Sequence, residues 1–170
     1  MHGAVYRRGP DGLLRPDQEP PFDMAAYLAR PLVARLATHR LAVQPVWYLW
    51  EDETFWVITG GWSRLPRRLA HSSSFTLVVD DCELATGRVR QVVAQGRGEI
   101  TGFDVPRARR KLRRYLGPDE ARWDPRFAPG GPGAADNRWA RLVPDRLRVL
   151  DLSFRPAHPT EPCRGRAPDG

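Results

Sequence analysis

Between Thr59 and Arg68 the chain reads Thr-Gly-Gly-Trp-Ser-Arg-Leu-Pro-Arg-Arg. Two glycines let backbone N–H groups turn toward one point, the Ser63 hydroxyl can join them, and a helix beginning there adds its positive dipole end. Arg64, Arg67 and Arg68 add forked, charge-assisted donors that suit phosphate oxygens. Thr59, Ser63 and Arg64 can together grip a phosphomonoester. A surface loop capped by Ser63, with its arginines in water, uses the same residues as well. Trp47, Tyr48, Trp56 and Trp62 shift the balance toward a ligand with a flat aromatic head, although each alone also fits a core.

Other catalytic arrangements are missing. The sequence has no GxSxG elbow, HExxH helix, Walker loop or GxGxxG fingerprint. His2, His39, His71 and His158 stand alone in expected turns or tails, so no metal or nucleophile role is expected of them. Glu51-Asp52-Glu53 reads as a solvated hairpin tip, and Asp80-Asp81 with Glu83 as a strand-end turn. Cys82 and Cys163 form no CxxC and no secreted framework. With no leader-like apolar segment and no run approaching about eighteen apolar residues, the expectation is a soluble, cytoplasmic protein.

The net charge of +7 invites a polyanion partner. Arginine supplies nearly all of it, Lys111 being the only lysine. That pattern reads as arginine replacing lysine over a solvated surface, and a nucleic-acid partner is not expected.

The elements that must position the elbow follow from period and punctuation. Residues 1–21 show no periodic apolar pattern and read as an irregular arm, as does the tail 156–170; the domain proper is 22–155. Asp23 caps a short helix to about Arg30, which Pro31 ends. Leu32–Thr38, Ala42–Trp50 and Thr54–Thr59 are β-rich runs separated by hairpin-length turns, predicting an antiparallel meander. Pro45 cannot donate to a ladder, so the second strand has a bulge or a free edge there. Ser63 caps a helix over Leu65–Ala70. Phe75–Asp80 and Arg88–Thr101 follow as strands, with Gly96 and Gly98 marking a bulge. Asp104 opens the clearest helix, closed by Gly117, with Val105, Ala108, Leu112, Tyr115 and Leu116 as its apolar stripe. Two last strands, 138–143 and 146–154, complete a mainly β domain with peripheral helices, a six- to seven-stranded antiparallel split barrel.

This order of elements, from "LVARLAT" through "VQPVWYLW", "TFWVITGGWSRLPRRLAHSSSFTLVVDD" and "RQVVAQGRGEI" to "RWARLVPDRLRVLDLSF", resembles the flavin-binding split-barrel superfamily of pyridoxamine 5′-phosphate oxidase-like proteins, in its actinobacterial-type branch. The resemblance spans about Leu32 to Phe154. It implies a homodimeric flavoprotein oxidoreductase acting on a small molecule, with FMN at the subunit interface; relatives use the deazaflavin coenzyme or heme instead. It further implies that Gln44, Pro45, Val46, Trp47 and Tyr48 pass the flavin ring, and that Ile58, Thr59, Ser63 and Arg64 hold the phosphate. Gln91 would touch the ring. Leu65 stands where the family usually has a phosphate-binding lysine, which shifts the anion grip to Arg64, Arg67 or Arg68. The C-terminal signature of the vitamin-specific oxidases is not clear, so pyridoxamine phosphate is not the expected substrate.

Overall fold

A computed structural model describes residues 2–39, 42–128 and 135–155. One antiparallel sheet carries the molecule. Its strands are β1 (His2–Arg8), β2 (Leu14–Pro16), β3 (Val33–Thr38), β4 (Ala42–Trp47), β5 (Leu49–Glu51), β6 (Thr54–Gly60), β7 (Ser74–Glu83), β8 (Arg88–Thr101) and β9 (Asn137–Asp151). The helices are α1 (Met24–Leu28), α2 (Leu65–His71) and α3 (Val105–Leu116). The main hydrogen-bonded path runs β2-β1-β9-β8-β7-β3-β4, and β6 branches from β9 with β5 on its far edge. The sheet curls without closing, as a split barrel.

Among the described residues the strand count is nine where the sequence suggested six or seven, for three local reasons. The irregular arm expected over 1–21 is corrected: His2–Arg8 pairs with the outer edge of β9 from His2↔Asp151 to Arg7↔Arg146, and β2 pairs with it in turn. A neighbouring edge supplies the order that the arm's own pattern does not. Ala4 and Leu14 are buried, and Arg8 fixes the hairpin by donating to the carbonyls of Pro144 (2.8 Å) and Glu53 (3.0 Å). Next, the single run Ala42–Trp50 is broken at Tyr48 into β4, paired with β3, and β5, paired with β6. Finally, the two last strands are one, β9, continuous through Pro144.

That continuity depends on the expected bulge. β8 pairs along β9 from Arg90↔Asp151 to Thr101↔Trp139, with a register shift between Gln95 and Gly96. Beyond the bend, β9 from Asn137 to Leu142 carries β6, while its Arg146–Asp151 half carries β1. Alternating residues of β3, β6, β7, β8 and β9 fill the interior, with Leu36, Phe55, Leu77, Val79, Val92, Leu142 and Leu147 fully buried. A second, smaller cluster of Leu49, Trp56, Ala108 and Trp139 seats α3 on the opposite face of the sheet.

The helix starts behave as their sequences predict at α1 and α3. The Asp23 side chain accepts from Ala26 N–H (3.0 Å) and that of Asp104 from Arg107 N–H (3.1 Å). At α2 the cap position is Arg64, with no side-chain capping bond; Ser63 Oγ instead accepts from Leu65 N–H at 3.1 Å. The acidic hairpin tip is not merely solvated. Glu51 receives Arg107 and Arg110 of α3 (2.9 Å each), and Glu53 accepts Leu14 N–H. Partial burial works to raise the Glu51 carboxyl, but hydrogen bonds from Arg110 and Arg107 outweigh it and hold it below the ordinary carboxylate range.

Candidate ligand-binding site

The split in the barrel is the site. β4 pairs only with β3, and the Val57–Gly60 half of β6 pairs only with β9, so the two strands face each other without a ladder. Pro45, opposite Arg35 in that one-sided pairing, lies on the free edge its missing N–H requires. Between the strands lies a cavity of about 460 Å³. Gln44, Pro45, Val46 and Trp47 form one wall, and Val57 and Ile58 the other. Leu65, Leu112 and Phe127 add apolar surface, and Trp62 and Ser63 of the elbow complete the lining with Lys111.

The break at Tyr48 holds this wall open. The Tyr115 hydroxyl accepts Tyr48 N–H at 3.1 Å and lies 2.8 Å from the Leu32 carbonyl and 3.0 Å from that of Tyr48, so it satisfies backbone groups that a continuous strand would have paired. The Tyr115 ring stacks on Trp47 (centroids 4.7 Å apart, planes 7° apart), and Phe127 stacks on Trp47 at 5.6 Å. Trp47 thereby presents a rigid aromatic surface. Tyr115→Phe leaves Tyr48 N–H without its partner. It is expected to cost about 2 kcal/mol and to loosen the Trp47 stack, checked by denaturant unfolding and near-ultraviolet circular dichroism.

A second hollow of about 440 Å³ adjoins the first, lined by Arg64, Arg67, Arg68, Ala42, His39 and His71. Arg68 Nη1 donates to Gln44 Oε1 at 3.2 Å, tying the cationic hollow to the aromatic one. Among the described residues no carboxylate pairs with Arg64, Arg67 or Arg68, whereas Arg107, Arg109, Arg110 and Arg113 of α3 each have one. Three uncompensated guanidiniums on one concavity attract an anion. His39 and His71, read from sequence as solitary, lie ring against ring at 4.1 Å.

The glycine turn does less than its sequence suggested. Gly61 N–H donates to the Asp136 carboxylate (3.0 Å), and Ser63 N–H to the Gly60 carbonyl (3.0 Å). The Gly61 and Ser63 N–H groups are thus engaged within the protein, which shifts the anion-binding capacity toward the arginine side chains. Of the sequence-derived candidates, Gln44, Pro45, Val46, Trp47, Ile58 and Ser63 line the aromatic cavity and Arg64, Arg67 and Arg68 the cationic one. Three lie elsewhere. Tyr48 is fully buried in the core, its hydroxyl without a hydrogen-bond partner and pushed up by burial. Thr59 is 1% exposed, and its Oγ1 likewise has no partner. Gln91 is registered between Asp80 of β7 and Leu150 of β9 and lines neither hollow. Trp56 serves the seat of α3, edge-on to Trp139 and under the Arg107 guanidinium at 3.8 Å.

Lys111 was missed. It occupies the buried stripe of α3 between Ala108 and Leu112, is 4% exposed and lines the aromatic cavity. Among the described residues its ammonium has no carboxylate partner, and it stands 5.8 Å from the Trp139 ring centroid. Burial pulls its pKa down to about 7. The sequence held the clue: position 111 is three residues after Ala108 and four before Tyr115, on the apolar face.

No protein-family model matches the sequence, and no curated protein matches it. Solved structures do. The chain superposes on a conserved hypothetical protein, Rv2991, from Mycobacterium tuberculosis, with a TM-score of 0.60 and 20% identity over 76% of this chain and 85% of that one. An F420 reductase matches at 0.54 and 21% identity, covering 75% of this chain and 97% of its own. A proposed pyridoxamine 5′-phosphate oxidase from Listeria innocua matches at 0.55 and 12%, covering 75% and 94%. The chain shares its split-barrel fold with these structures. In this chain the aromatic cavity lies in the seam between β4 and β6, and the arginine hollow lies between α2 and the start of β4. No helix among the described residues is long and apolar enough to cross a membrane.

Proposed function

We propose that this split barrel binds FMN and works as an oxidoreductase on a small molecule. The observation that carries the reading is the junction of an aromatic cavity with an uncompensated arginine hollow through the Arg68–Gln44 hydrogen bond. The residues fit the group: a flat tricyclic head finds the Trp47 and Phe127 rings and the apolar edge of Val57 and Ile58, and a phosphate finds Arg64, Arg67 and Arg68. Bound flavin supplies hydride-transfer chemistry. The protein orients the ring along the unpaired edge of β4 and excludes water with Leu65, Leu112 and Phe127. The similarity of fold also supports pairing of two copies around the cofactor, and a cytoplasmic location fits the sequence.

The phosphate assignment has a direct test. Titrating the protein with FMN and with riboflavin, followed by flavin fluorescence, compares ligands that differ by one phosphate. The variant carrying Arg64→Ala, Arg67→Ala and Arg68→Ala together is expected to lose about 100-fold in FMN affinity while riboflavin affinity stays near its original value. Equal losses for both ligands remove the phosphate from that hollow, and failure of the native protein to bind either one ends the flavin reading.

A deazaflavin coenzyme is the second reading. Three arginines without a carboxylate partner among the described residues offer more cationic surface than one phosphate needs, which favours a longer acidic tail. Tighter binding of that coenzyme than of FMN by the native protein would decide for it. Heme finds less support, since no His, Cys or Met is among the residues lining the aromatic cavity.

A further inference from the structure

The feature that the flavin reading leaves unused is the chain's single lysine. We propose that Lys111 is an anchor in the aromatic cavity, binding an anionic oxygen carried by a flat aromatic ligand. The inference rests on the cavity as the seat of a flat ring, and not on the arginine hollow.

Its geometry carries the argument. Lys111 belongs to the cavity lining yet is 4% exposed, so its side chain is shielded from bulk water at the wall of the cavity. An unpaired buried ammonium is costly, and helix α3 places one where an alanine or leucine would complete the stripe. Nothing in the surrounding elements neutralises it. From β4 and β6 the cavity receives only Gln44, Pro45, Val46, Trp47, Val57 and Ile58. The hairpin brings Glu51, occupied by Arg107 and Arg110. On α3 itself Asp104 pairs with Arg107, and Arg114 reaches the Leu28 carbonyl. After α3, Glu120 holds Arg109 and Arg113, and Asp124 holds Arg126. β9 contributes Arg141, bound to Glu99, and Arg138, bound to backbone carbonyls. The elbow and α2 add the cations Arg64, Arg67 and Arg68. Among the described residues Glu51, Asp104, Glu120, Asp124 and Glu99 are each engaged with an arginine, Asp136 accepts the Gly61 N–H and Asp119 that of Ala121, and no carboxylate forms an ion pair with Lys111, so the counter-ion we assign to it is one that a ligand brings.

The proton balance follows. In the free protein the amine, with its pKa near 7, is partly neutral at neutral pH. An anionic ligand favours the ammonium, so Lys-NH2 takes one proton from solvent as the anion enters, and no other bond changes. Affinity for the anion is therefore flat below about pH 7 and falls roughly tenfold per pH unit above it, until the pKa of the complex is reached.

Matched probes test this without the cofactor. 2-Naphthoate and 2-naphthamide have the same flat ring and differ in charge. By titration calorimetry the full chain is expected to bind the naphthoate roughly tenfold more tightly at about pH 6, with proton uptake near pH 8 revealed by the dependence of the heat on the buffer. Lys111→Met should abolish the preference and the proton uptake but still bind the amide. Lys111→Arg should keep the preference with no pH dependence up to about pH 9, because its guanidinium stays charged. A preference that survives Lys111→Met, equal binding of both probes by the native protein, or binding of neither overturns the anchor. FMN titration of the same preparations separates the two readings. Flavin binding without a naphthoate preference leaves the cofactor reading standing and removes the anchor; a Lys111-dependent preference without flavin binding does the reverse.

Discussion

Lys111→Met is expected to make the ligand-free protein more stable at neutral pH, by about 4 kcal/mol. The figure follows from linkage. Burial lowers the Lys111 pKa from 10.5 to about 7. Above the unfolded value both states hold a neutral amine and the burial costs little. As the pH falls from about 10.5 to about 7, the unfolded chain takes up a proton that the folded protein resists, and stability drops by about 1.4 kcal/mol per unit. Below about pH 7 both states are charged and the loss is complete. Methionine has nearly the same length, carries no charge and suits an apolar aromatic cavity. Urea unfolding at about pH 7, 9 and 10.5 checks the sign: the native protein should gain stability with rising pH across that window, and the variant should show a flatter profile starting from a higher value. Equal stability of the two proteins at pH 7 would show that the ammonium reaches solvent. A protein that retains so costly a group in a cavity wall gives up stability at the place where a ligand could return it.

The sheet was largely readable because its signals are local. Alternating β-branched and aromatic residues marked β3, β4, β6, β7 and β8, and of the bulge or free edge that Pro45 called for, the one-sided pairing of β4 shows the free edge. What remained hidden depended on distant chain. β1 is ordered by pairing with β9, some 140 residues away in sequence, and its own Gly- and Arg-rich composition says nothing of that edge. The Tyr48 break comes from the Tyr115 hydroxyl taking a backbone N–H out of the ladder. At the site, the aromatic wall and the arginines were legible as residue types. Which backbone groups stay free was not, because Asp136, from a loop before β9, takes the Gly61 N–H on which the glycine-elbow argument relied. Lys111 was overlooked for a different reason. An arginine-rich helix invites counting every cation onto the wet face, and only the periodicity of α3 assigns this one to the dry face.

Gly96→Ala is expected to destabilise the fold by roughly 3–5 kcal/mol, among the largest effects of any single methyl addition here. A Cβ at Gly96 would lie 2.1 Å from the Val143 carbonyl oxygen, 2.7 Å from Pro144 Cα and 2.8 Å from Asp145 N, all backbone atoms of β9. Neither strand can give way locally. β8 is laddered to β7 on its other edge, and β9 is held by β6 before the bend and by β1 after it. Gly98→Ala is the control on the same strand: its Cβ meets the Leu142 and Leu69 side-chain methyls at 2.6 and 3.1 Å, which can rotate, so a cost of about 1–2 kcal/mol is expected. Thermal unfolding of both variants checks the difference, and equal Tm values would show that the close approach at the bulge is not a constraint. The consequence reaches the site. The bulge lets one strand serve two parts of the sheet, and the Val57–Gly60 half of β6 that walls the cavity is held by its pairing with the first half of β9. Straightening that bend would swing Val57 and Ile58 relative to β4, so Gly96→Ala should weaken ligand binding in the seam more than its distance from the cavity suggests, whereas Gly98→Ala should leave it nearly unchanged.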